Sequence, residues 1–154
     1  MTKMTTDDAI IRYNFVSKIQ FKDGDNALSK DLKIKVMQMR IEFNKINKEF
    51  NDDVKEFTEG ITEDRFKELQ QKEDRTEEET KELNDLVNKY NQEINEYVTK
   101  RSQDEVEVND YEFTVDEFSE IMETNAEKDI VINGTTIPAP DYLEALYELF
   151  VKAA

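Results

Sequence analysis

Residues 29–60 read SKDLKIKVMQMRIEFNKINKEFNDDVKEFTEG, and this stretch decides the fold. Leu32, Val36, Met39, Phe43, Ile46, Phe50, Val54 and Phe57 step by 4, 3, 4, 3, 4, 4 and 3 residues. Steps of three and four keep side chains on one side of a 3.6-residue helix, so the stretch is a long helix packed along one seam. Ser29 offers a hydroxyl N-cap, and Gly60 interrupts the run. Ile34, Met37 and Ile41 widen the seam, which predicts two packing neighbours for the first half of the helix and one for the second.

Towards the C-terminus, Thr62-Glu63-Asp64 starts a short helix whose large apolar residues are Phe66 and Leu69. From Gln70 to Glu82 no apolar residue occurs, so about 58–82 reads as an exposed acidic tip. Thr76 and Glu79 have the spacing of a capping box and open a second long helix with the stripe Leu83, Leu86, Tyr90, Ile94, Tyr97. Two long stripes joined by a polar segment predict an antiparallel, coiled-coil-like hairpin. Towards the N-terminus, Thr6 as cap, Asp7 and Asp8 in the first turn, and Ile11, Phe15 and Ile19 predict a helix over 7–21.

After Arg101 the period changes. Val106 and Val108, then Tyr111 and Phe113, alternate with polar or charged residues, which predicts a strand. Thr114 and Glu117 form a second capping box. Phe113 and Phe118 stand at the spacing of a hydrophobic staple, and Ile121 and Met122 form the apolar side of the helix that follows. Asn133-Gly134 between β-branched flanks predicts a type I′ hairpin. Asp141, with Glu144, is the expected cap of a final helix bearing Leu143, Leu146 and Phe150. The expected fold is mainly α (α+β). A helical part over 1–101 with the long hairpin continues into a small α+β part over 102–154 with a short β-sheet and two short helices, all in one continuous unit.

Composition narrows the function. Nine Phe and six Tyr at regular spacing argue for a folded chain despite a net charge of −16. The sequence has no His and no Cys, which removes the commonest general base, thiolate chemistry and zinc-type ligand sets. Its three glycines are scattered, so no phosphate-cradling loop can be assembled. The expectation is a non-enzymatic protein without cofactor or metal. Residues 102–129 carry eleven Asp/Glu against one Lys, and Asp104, Glu105, Glu107, Asp110 and Glu112 form a candidate acidic surface. They sit on the polar face of an alternating strand, which suits a solvated face better than a paired-carboxylate site. Lys30, Lys33, Lys35, Arg40, Lys45 and Lys48 line the long helix and are expected to pair with those acids in the same or a neighbouring copy. The overall negative field argues against direct nucleic-acid binding. Asp23-Gly24-Asp25-Asn26 lacks a full calcium-loop pattern and reads as a turn. No apolar leader or membrane-length apolar run is visible, so the expected location is the cytoplasm of the producing cell, without membrane attachment.

The last 25 residues are richer in apolar side chains than a small unit can bury alone. Tyr142, Tyr147 and Leu149 are the candidate partner-contact residues. The helical hairpin, the short strand with a capped helix, and the closing run Leu143-Glu144-Ala145-Leu146-Tyr147-Glu148-Leu149-Phe150 together resemble small uncharacterised proteins of tailed bacteriophages and prophages. That resemblance implies a virion component or assembly factor, with virion proteins or further copies of the chain as partners. The alternative it leaves open is an acidic inhibitor or nucleic-acid mimic directed at a host protein.

Overall fold

A computed structural model describes residues 1–24 and 27–151. The elements are β1 (Thr2–Thr5), α1 (Thr6–Val16), α2 (Lys30–Ile61), α3 (Asp64–Gln71), α4 (Glu77–Ser102), β2 (Glu105–Val108), α5 (Val115–Asn125), β3 (Ile130–Ile132), β4 (Thr135–Ile137) and α6 (Ala139–Phe150). The fold is mainly α with a small β part, as the periodicities predict. Two compact units result: residues 1–47 with 105–154, and residues 48–104. The grouping therefore does not follow chain order, since the front of the molecule packs with its C-terminal part.

The first unit holds a core of Val16, Leu32, Val36, Met39, Phe43, Val108, Phe113, Ile121, Tyr142 and Leu146, all buried. β1, which sequence periodicity did not reveal, pairs antiparallel with β2 from Thr2↔Val108 to Thr5↔Glu105. The cap of α1 is Thr5, whose hydroxyl accepts the Asp8 N–H at 3.1 Å, while Thr6 is fully buried. α1 stops at Val16, earlier than expected. Arg40 on α2 takes up carbonyls at that end, donating to Val16 O at 2.9 Å and to Ile19 O. Those carbonyls lose their helical partners at the terminus, and the guanidinium satisfies them. Asn125 ties the same loop to α5, accepting from Gln20 N at 2.7 Å and donating to Ile121 O at 2.9 Å. Asp25 and Asn26, half of the expected turn, lie outside the described residues.

The Thr114–Glu117 capping box forms in full, and Phe113 and Phe118 on either side of it are buried. The β3–β4 hairpin turns through Asn133 (φ 51°) and Gly134 (φ 77°), the two positive-φ positions a type I′ turn requires. Asp141, however, does not cap α6. Pro138 holds the N-cap position and Pro140 the first turn, which starts the helix earlier and moves Asp141 inside it. The first N–H of the helix, that of Ala139, instead donates to Asp129 Oδ1 at 3.2 Å.

In the second unit α3 and α4 pack with the end of α2. Phe57 stacks on Tyr97 with ring centres 4.2 Å apart, and Phe66 meets Tyr90 edge-on at 5.2 Å. Tyr90 also donates to Glu63 Oε2 and accepts the Glu63 N–H, both at 3.1 Å. The acidic tip is short and ordered by charge. The Thr76–Glu79 capping box opens α4, Lys72 pairs with Glu79 at 2.7 Å, and Arg65 pairs with Glu82 at 3.0 Å. Among the described residues no helix is long and apolar enough to cross a membrane.

Candidate protein-interaction groove

α5 and α6 follow from two local decisions in the sequence, the Thr114 cap and the proline-led start after β4. Where the two helices pack they leave an open groove of ≈ 430 Å³, lined by Phe118, Met122, Ala126, Pro140, Leu143, Glu144 and Tyr147. Val115, Phe118 and Met122 step by 3 and 4 along one side of α5, and its C-cap Ala126 continues the row 4 residues on. Phe118 and Leu143 form the buried floor. Met122 and Tyr147 stand on the walls, 44% and 43% exposed. The Tyr147 ring packs edge-on against Phe118, with ring centres 5.3 Å apart. That contact holds the wall in place without closing the groove.

The three expected contact residues separate. Tyr147 lies on the groove wall. Tyr142 does not meet a partner: it is fully buried, its ring stacks on Phe15 at 5.7 Å, and its hydroxyl donates to Phe15 O at 2.5 Å. Burial pushes its hydroxyl above the usual tyrosine range. Leu149 is half-buried and lines a different cleft of ≈ 350 Å³ beside Arg12, Asp110, Glu112 and Glu148. Helix geometry accounts for the split, because positions 142 and 149 share one side of a helix and position 147 faces well away from it.

One carboxylate, Glu144, lines the groove, and the two helices that form it are acidic. α5 carries Asp116, Glu117, Glu120 and Glu123, α6 carries Asp141, Glu144 and Glu148, and neither helix contains Lys or Arg. Two of these acids work inside the unit. Glu120 accepts from Ser29 N at 2.9 Å, and Glu117 pairs with Lys35 at 2.9 Å. Partial burial pushes the Glu117 carboxyl up, but the Thr114 N–H and the Lys35 ammonium outweigh it, so it titrates below the usual carboxylate range. Asp116, Glu123, Asp141, Glu144 and Glu148 are exposed.

The candidate acidic surface on β2 is distributed differently from the expectation. Glu105 pairs with Lys3 at 3.7 Å, Glu107 stands across the ladder from Lys3, and Asp110 takes the N-terminal ammonium at 3.2 Å and the Thr2 hydroxyl. Asp104 pairs with Arg101 at 3.2 Å within the second unit, and Glu112 is exposed. The cations paired with Glu105, Asp110 and Asp104 come from β1, the N-terminus and α4 respectively. The α2 cations turn elsewhere, Lys35 to Glu117 and Arg40 to the end of α1. Glu42 of α2 accepts from Asn109 N, Asn109 Nδ2 and the Tyr111 hydroxyl, and so ties α2 to the segment after β2.

A further surface escaped sequence reasoning. Ile34, Met37 and Ile41, expected to face a second packing neighbour, are 45%, 50% and 69% exposed. The available signal was their flanks, because Lys30 and Lys45 fall on the same side of the helix as these three residues. Among the described residues no group of three or more acidic side chains is arranged to hold a metal ion. Comparisons with protein-family models, curated proteins and solved structures returned no match.

Proposed function

We propose that the protein is a non-catalytic interaction subunit, a structural or assembly component of a phage particle such as a capsid, connector or tail accessory protein. The observation that carries this reading is the open apolar groove between α5 and α6. A preformed trough with an aromatic and aliphatic floor and a carboxylate in its lining is the form of surface that seats a helix of another chain. Its chemistry is that of contact, since the lining is one carboxylate among aliphatic and aromatic groups.

The test is light scattering coupled to size-exclusion chromatography on the full chain. An ordered assembly of defined stoichiometry supports the reading. A monomer that displaces duplex DNA from a basic DNA-binding protein points instead to the acidic-inhibitor alternative. That alternative draws on residues 51–85, where fourteen Asp/Glu stand against six Lys/Arg.

A further inference from the structure

We infer that the occupant of the α5/α6 groove is a second copy of this chain, seated by the outward stripe of α2; this rests on the assembly reading above. The stripe is Lys30, Ile34, Met37, Ile41 and Lys45, at steps of 4, 3, 4 and 4, and every member is exposed. It is a continuous apolar ridge on one side of a helix with an ammonium group at each end. Among the described residues neither lysine has an ion-pair partner, in contrast to Lys35 on a neighbouring side of the same helix.

Charge selects the pairing. Stripe against stripe in antiparallel register sets Lys30 of one copy opposite Lys45 of the other. Groove against groove brings together the Glu144 carboxylates of two copies, each on a groove between helices without Lys or Arg. Like charges brought together at an interface oppose association. Stripe against groove is the pairing that covers both apolar surfaces and brings opposite charges together. The dimensions agree: Lys30 and Lys45 lie about 22 Å apart along the helix axis, and α5 is about 16 Å long. With the ridge seated in the groove, one of its end lysines is brought to the exposed Glu144 carboxylate. Because stripe and groove are different patches, the contact is reciprocal in a closed dimer or one-way in a ring or filament.

The experiment uses two double variants of the full chain and sedimentation velocity. Met37→Glu with Ile41→Glu disables the stripe, and Met122→Lys with Tyr147→Lys disables the groove. Each alone weakens self-association by about 30-fold or more, the scale of hot-spot loss. Mixed in equal amounts, the two re-associate into a one-to-one complex, because an intact stripe meets an intact groove. Circular dichroism and melting establish that each variant is folded. Should Tyr147→Lys disturb Phe118, Met122→Lys alone serves as the groove variant. Failure of the folded mixture to re-associate overturns the inference. An assembly that survives in both variants overturns it while leaving the assembly reading standing, and a wild-type chain that stays monomeric at high concentration overturns both.

Discussion

The two units use one helix differently. In the first, Leu32, Val36, Met39 and Phe43 of α2 are all buried, with Met39 and Val36 fully so. In the second, Phe50, Val54 and Phe57 continue the same periodic seam yet remain half-buried. The buried apolar side chains of residues 48–104 are Leu69 and Tyr90, and the rest of that unit is held by ring stacking and ion pairs. A periodic stripe therefore specifies which side of a helix packs, and the number of layers around it decides how much stability the packing returns. Residues 1–47 and 105–151 surround α2 with helices and strands, whereas α3 and α4 form a thinner stack.

The largest effect should come from the first core. Phe43→Ala removes a ring packed near Tyr111, at 5.7 Å, and Phe150, at 6.4 Å. It should cost about 3–5 kcal/mol by denaturant titration. Phe57→Ala, which removes a stacked but partly solvated ring, should cost about 1–2 kcal/mol. Equal losses at the two sites would erase the contrast between the units.

The helix caps sharpen the comparison at a smaller scale. Thr114→Ala should cost about 1 kcal/mol, because the capping box both starts α5 and sets one wall of the groove. Thr76→Ala removes the equivalent hydroxyl acceptor, here for the Glu79 N–H, and should appear as local fraying of α4 in amide exchange with little change in the global transition. A global loss equal to that at Thr114 would mean the tip folds together with the core.

The smallest effects concern acid. Lys72 and the Thr76 N–H hold the half-buried Glu79 carboxyl at about 2, below its ordinary 4.5. A depressed carboxylate contributes stability above its unfolded value and loses it as pH falls through the folded one. The start of α4 should therefore loosen between about pH 4.5 and 2, and Glu79→Gln should flatten that change in a pH series of amide exchange. Glu117 is displaced in the same direction, so the Lys35 contact should also weaken in acid, below the ordinary carboxylate range.

Local chemistry was legible in the sequence. Both capping boxes and the Asn133-Gly134 turn formed where residue identity required them, and the seam of α2 ran as its spacing predicted. What depends on distant partners was not legible. β1 is four residues, TKMT, with no apolar alternation, and it exists because β2 lies against it more than a hundred positions later. Tyr142 reads as an amphipathic surface residue until Phe15 and its carbonyl supply a stacking face and an acceptor. Met37 and Ile41 read as core because periodicity reports the side of a helix and not whether a neighbour covers it. The groove shares that origin. Tyr147 stands out through the apolar excess of the last helix, Met122 does not, and the two become a site when α5 and α6 pack.

Hydrogen exchange on the full chain, compared between dilute and concentrated samples, tests the central claim most directly. The account predicts that concentration raises protection over residues 115–126 and 139–148 and along α2 near 34–41, while 64–102 exchanges unchanged. Added protection confined to α3 and α4, with the groove helices unaffected, would contradict it.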